Sequence, residues 1–131
     1  MLDLIPASHT DLLDDETKAF AFVATTMADG SPQVTPVWFN HDGEHILINS
    51  AEGRVKDENM RERPRVAITI MDLKKPYHYM QLRGEVIDAT SQGGAEHIHE
   101  LSRKYRGEDY TIPAGQTRTK YTIRVDHVNT M

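Results

Sequence analysis

The chain has 131 residues, no cysteine, seven histidines and a net charge of −5. That length makes one domain that buries roughly two-thirds of its unfolded surface, enough for a single core but not obviously for a whole flavin-sized ligand. Disulfides, thiol nucleophiles and cysteine zinc sites are excluded, and the acidic balance argues against a general nucleic-acid binder.

No apolar run reaches membrane-span length, and Met1–Pro6 is too short and too acidic for a signal peptide, so a cytoplasmic protein is expected. Thr10–Asp15 predicts a short helix with Ser8 or Thr10 as its N-cap. Lys18–Met27 alternates with β-branched and aromatic residues, and Asp29-Gly30 signals a two-residue hairpin turn. Pro32–Asn40 reads as the returning strand, Asp42-Gly43 as a second turn and Glu44–Ser50 as a third strand.

Ala51-Glu52-Gly53 breaks the rhythm, and Arg54–Arg63 has helical propensity stopped by Pro64. From Arg54 to Arg65 the chain carries five basic and three acidic residues, a +2 island in a remainder of −7. Such an island suits one anionic small ligand better than a polyanion. Arg65–Met71 resumes as a strand with Val66, Ile68 and Ile70 on one face. Tyr77–Ala89 is a longer strand in which Gly84 marks a bulge or bend. Gly94–Tyr105 has an amphipathic stripe of Ile98, Leu101 and Tyr105. Arg118–Val128 is a half-buried strand with Tyr121, Ile123 and Val125 on one side. The expected fold is mainly β: a six-stranded antiparallel barrel, closed or nearly so, with two or three short helices in one domain over residues 1–131.

The chemistry concentrates where Asn49 and Ser50 end a strand and Gly53 leads into the helix. Backbone N–H groups at such a terminus attract anions, and the helix dipole reinforces them. Arg54 offers a planar fork to a phosphate and Lys56 a mobile point charge. A solvated helix with routine surface charges fits the same spacing. The seven histidines do not suggest a metal: His97 and His99 face different ways on a helix, and His9, His41 and His45 fall near turns or strand ends. Trp38 reads as a packing or dimer-contact residue.

The run Asp29-Gly30-Ser31-Pro32-Gln33-Val34-Thr35-Pro36-Val37-Trp38-Phe39, then Gly53-Arg54-Val55-Lys56, Asn59-Met60-Arg61 and Pro64-Arg65-Val66-Ala67, resembles the pyridoxamine 5′-phosphate oxidase-like split-barrel superfamily. Within it the branch of small reductases dependent on the deazaflavin coenzyme F420 is the most similar. The resemblance implies a homodimer with cofactor pockets at the subunit interface. It implies that Thr35, Pro36 and Val37 line the tricyclic ring, that Asn49 and Ser50 lie beside it, and that Arg54, Lys56 and Asn59 bind the phosphate. It also implies that Tyr79 or Met80 of the partner subunit touches the ring. Arg61, Arg63 and Arg65 fit either an oligoglutamate tail or ordinary solvated positions. The C-terminal Arg124-Val125-Asp126-His127-Val128 lacks the arginine- and histidine-bearing substrate motif of true pyridoxamine phosphate oxidases, which argues against vitamin oxidation. The implied function is an oxidoreductase passing hydride from the reduced coenzyme to a small organic acceptor (an enone, quinone or tetrapyrrole-like compound). FMN is the alternative cofactor, as in a flavin reductase-like protein, and a non-catalytic flavin-binding module is a further alternative. No triad or dyad is recognisable, so the cofactor would carry the reaction, with Tyr79 and His78 as candidate proton donors.

Overall fold

Seven antiparallel strands form one sheet in a computed structural model that describes residues 1–130: β1 Phe20–Thr26, β2 Pro32–Val37, β3 Phe39–His41, β4 His45–Ala51, β5 Arg65–Asp72, β6 Lys75–Thr90 and β7 Arg118–Thr130. The order across the sheet is β2-β1-β5-β6-β7-β4-β3. Its two edge strands, β2 and β3, are therefore consecutive in the chain, with only Trp38 between them. Laid flat, seven strands would hold those edges roughly 29 Å apart at about 4.8 Å per gap. Two Cα steps allow at most about 7.6 Å between Val37 and Phe39. The sheet must roll until its edges meet, and the result is a barrel split at Trp38.

That split corrects the expected strand count from six to seven. Pro32–Asn40 is not one strand. Pro32–Val37 pairs with β1, whereas Phe39–His41 pairs with β4 on the other edge. The turn at Asp29-Gly30 is also longer than expected. The Met27 N–H donates to the Ser31 carbonyl, Asp29 accepts from the Ser31 backbone and hydroxyl, and Gly30 takes the left-handed conformation. The chain's start forms three 3-10 helices, Leu2–Leu4, Ala7–Leu13 and Asp15–Thr17, in place of a helix over Thr10–Asp15. None has a side-chain cap. Instead the Thr10 hydroxyl donates back to the Ala7 carbonyl, and burial of Ile5, Leu12 and Leu13 holds the segment against the barrel.

The core follows the period of two. Ala21 and Val23, Ile46 and Ile48, Val66, Ile68 and Ile70, Met80 and Leu82, and Tyr121, Ile123 and Val125 all point inward. Burying each large aliphatic side chain stabilises the fold by about 1.5–3 kcal/mol. The helices are α1, Val55–Glu62, between β4 and β5, and α2, Gly94–Arg106, between β6 and β7. Met60 of α1 joins the same core.

Two glycines set the backbone spacing that closes the barrel. A Cβ on Gly84 would lie 1.9 Å from the Arg124 carbonyl oxygen, at the register shift between β6 and β7. A Cβ on Gly94 would lie 2.0 Å from the Arg118 carbonyl oxygen, so α2 begins in direct backbone contact with β7. Gly94 thereby fixes where Arg118 stands relative to α2.

Candidate functional site

Beside the split, an open cleft of about 200 Å³ lies between the end of β4, the start of α1, α2 and the start of β7. Phe20, Pro36, Val37, Trp38, Ile98 and Leu101 supply its apolar wall. Asn49, Arg54, Lys56, Tyr110 and Arg118 supply its polar one. Trp38 stacks on Tyr105 with ring centroids 5.4 Å apart and meets Tyr110 edge-on at 6.4 Å. A planar aromatic shelf therefore borders a cationic end.

Three cations converge there from separate elements. Arg54 is the exposed N-cap of α1. Lys56, in the first turn, donates to the Thr35 hydroxyl on β2 at 3.3 Å. Arg118 opens β7; its Nε donates to Asn49 Oδ1 at 2.8 Å and another guanidinium nitrogen to Gln116 Oε1 at 3.0 Å. Its guanidinium also lies 5.3 Å from the Tyr110 ring centroid. Among the described residues, no carboxylate forms an ion pair with any of the three.

The electrostatics register that imbalance. Burial, then the neighbouring charges of Arg54 and Arg118, holds the Lys56 ammonium below its usual value. Burial also lowers the Arg118 guanidinium, and Arg54 adds to that effect. Desolvated like charges without a counter-charge are costly. A bound anion would relieve this cost, and the cleft is where it would sit.

The next residue on α1 is handled in the opposite way. Asp57 is buried, and burial works to raise its pKa. Hydrogen bonds from the Gly53 N–H at 2.9 Å, the Tyr121 hydroxyl and Arg61 Nε at 2.9 Å outweigh that and hold it below the ordinary carboxylate value. Asp57 thus consumes one backbone N–H at the helix start and locks α1 to β7.

The predicted site residues separate into two groups. Pro36, Val37, Asn49, Arg54 and Lys56 line the cleft, and Thr35 touches it through Lys56. Ser50 is buried against the Ala51 carbonyl, and Asn59 donates to the Thr25 hydroxyl and the Met27 sulfur; neither lines the cleft. Met80 is fully buried in the core, so of Tyr79 and Met80 only Tyr79 faces outward, as strand alternation requires. His78 pairs with Asp11 at 2.9 Å and packs, tilted, against His9, which is buried and not in a solvent-exposed turn. Tyr77 is 81 % exposed and also outside the cleft, whereas Trp38 and Tyr110 border it. Arg61 is engaged by Asp57, and Arg63 by the Thr26 carbonyl and Asn59.

Sequence reasoning missed Arg118, the most buried of the three cations. Its position at the start of a strand gave no local signal; only the β4–β7 pairing of Ala51 with Arg118 brings it beside Arg54. A larger cleft of about 480 Å³ at the Gly84 bulge also contains arginines. There Arg124 is already paired with Glu85 and Asp126, so the same charge argument does not apply to it.

Solved structures share this fold. An F420 reductase is 28% identical, with a TM-score of 0.85 over 97% of this chain and 100% of that one. HupZ of Group A Streptococcus is 17% identical with a TM-score of 0.67, covering 95% and 91% of the two chains. A NimC/NimA family protein from Clostridium acetobutylicum is 21% identical with a TM-score of 0.61, covering 91% and 84%. No functionally curated protein sequence matches the chain. The family model described as pyridoxamine 5′-phosphate oxidase matches residues 10–131, and with the split barrel and its cationic cleft it places this chain in that family.

Proposed function

We propose that the cleft holds the phosphate of coenzyme F420 and that the protein is a reductase passing hydride to a small organic acceptor such as an enone, quinone or tetrapyrrole-like compound. The observation that carries this reading is the convergence of Arg54, Lys56 and Arg118 with no carboxylate in the cleft wall. A phosphodiester or phosphate supplies the missing negative charge, and charge-assisted bonds from guanidinium and ammonium groups are among the stronger ones. The apolar strip of Pro36, Val37 and Trp38 gives a planar ring a surface to lie on. Bound there, the reduced deazaflavin supplies the hydride. The chain's own residues bind, orient and exclude water, which suits a cleft whose wall contains no acid–base pair among the described residues. The similarity to an F420 reductase favours the deazaflavin over FMN.

The pocket is completed by a second copy of the chain. At about 200 Å³ the cleft falls below the roughly 300–1,000 Å³ typical of small-molecule sites. Beside it, the outer face of β1, β2 and β5 presents Phe22, Ala24 and Ala67 together with Val34, which is 64 % exposed. That apolar face suits a subunit contact. The described helices include none long and apolar enough to cross a membrane.

Titration of the purified protein with F420 and with FMN tests the cofactor. Micromolar F420 binding with weaker FMN binding is expected, and the reverse order would transfer the site to FMN. Arg54→Ala with Lys56→Ala should weaken binding about a hundredfold or more, given the strength of charge-assisted bonds. Unchanged affinity would sink the phosphate assignment. Sedimentation at micromolar concentration should give a dimer mass. If F420 binds but no acceptor is reduced across a panel, the protein is a binding module and not a reductase.

A further inference from the structure

From behind the cleft, His97 and Asn40, which do not line it, connect in a polar chain through Asn49 to Arg118 on its wall. His97, on α2 and 3 % exposed, has Nε2 at 2.8 Å from Asn40 Oδ1 on β3 and Nδ1 at 3.1 Å from Asn49 Nδ2 on β4. Asn49 Nδ2 also lies 3.0 Å from the Gly94 carbonyl, and Asn49 Oδ1 is 2.8 Å from Arg118 Nε.

The donor and acceptor roles along this chain are determined. Arg118 Nε only donates, so the Asn49 atom facing it must be the oxygen. The Asn49 amide nitrogen then faces a carbonyl, which only accepts, and His97 Nδ1, which must therefore accept as well. The imidazole proton resides on Nε2 and is donated to Asn40. Every group is satisfied in this one arrangement.

We propose that His97 is a positioning residue of the anion cleft: its uncharged imidazole fixes the Asn49 amide in the orientation that presents an oxygen to Arg118, which aims the guanidinium at the bound anion. This rests on the reading of the cleft given above and adds to it a residue with no ligand contact of its own. A second proton on Nδ1 would confront the Asn49 amide hydrogens. Turning the amide to relieve that would set its nitrogen against Arg118 Nε and its oxygen against the Gly94 carbonyl, replacing one mismatch with two. Neutral His97 and a seated Arg118 are thus a single condition. The groups facing the imidazole are Asn40 from β3, Asn49 from β4, and Lys120 and Arg118 from β7. Burial first, and then those two cations, pushes the His97 pKa down to about 4, so the network keeps its orientation through the neutral range.

Nitrogen NMR of the wild-type protein at pH 7 should show His97 as the Nε2–H tautomer and the Arg118 Nε–H proton protected from exchange. An Nδ1–H tautomer or an imidazolium would overturn the proposal without any variant. In His97→Leu, the Arg118 Nε–H should lose its protection and affinity for inorganic phosphate should fall about tenfold, on the scale of one charge-assisted bond. His97→Gln, which offers Asn49 an acceptor and Asn40 a donor, should return both readouts to within about threefold of wild type. Loss in both variants alike would mean a packing role only and would overturn the proposal. Retained protection and affinity in His97→Leu would do the same. If even the wild type fails to bind phosphate, the reading of the cleft falls, while the tautomer and the Arg118 exchange rates still decide whether His97 seats Arg118.

Discussion

The two sides of α1 treat charge in opposite ways. On the barrel side, Asp57 is buried with a full set of donors from Gly53, Arg61 and Tyr121. On the cleft side, Lys56 has one hydroxyl acceptor and two like charges, Arg54 and Arg118, as neighbours. The two residues are adjacent in sequence, so local context does not distinguish them. Their contrast separates what holds the fold together from what the fold holds in readiness: the satisfied side locks the helix, and the unsatisfied side awaits an anion.

The largest expected effect comes from breaking the satisfied side. Asp57→Ala leaves the Tyr121 hydroxyl, the Gly53 N–H and Arg61 without their shared acceptor, and should lower stability by about 3–5 kcal/mol in urea denaturation. A loss below about 1 kcal/mol would show that Asp57 is not what locks α1 to the barrel. Because the folded-state pKa of Asp57 is depressed, its contribution is present above the unfolded carboxylate value and is lost as pH falls below it. The variant should therefore show a shallower acid transition.

His97 gives the next largest effect, through pH. Its folded pKa of about 4 lies below the ordinary 6.5, so the unfolded chain takes up a proton first as pH falls. Stability attributable to it is complete above pH 6.5 and is lost between there and about pH 4, a change of the order of 3 kcal/mol. Wild type should lose stability across that window, and His97→Leu should lack this part of the slope. Equal slopes in the two proteins would contradict a buried, neutral His97.

Much of the barrel was legible because strand faces are written in local alternation: Val66, Ile68 and Ile70, and likewise Tyr121, Ile123 and Val125, all turn inward as their period requires. The break at Trp38 was not legible. Pro36 sits inside β2, paired with Phe22, and no local signal marks Trp38 as the break; the division exists because each half pairs with a different distant strand. The site divides along the same line. Arg54 and Lys56 could be read from a strand, loop and helix in succession, whereas Arg118 reaches the cleft, and His97 the Asn49 behind it, only through β4–β7 pairing and the close approach at Gly94. Asn59 shared the favourable neighbourhood in sequence but turns inward to Thr25, which helix phase decides and composition does not.

The smallest expected effect on stability is also the one that separates the two sides of α1 most clearly. Lys56→Met keeps much of the side chain's apolar length and removes the charge. Its ammonium is half-buried beside two cations, so its loss should leave stability unchanged or raise it by up to about 1 kcal/mol, a modest figure because solvent still screens the group. The pH dependence has a definite sign. With its folded pKa depressed, Lys56 makes wild-type stability rise as pH climbs toward 10.5, and the variant should lack that rise. Cofactor affinity should move the other way, falling by about tenfold or more for one lost charge-assisted bond. A variant that binds as wild type does while losing more than about 1 kcal/mol of stability would reverse the comparison and make Lys56 a structural residue like Asp57.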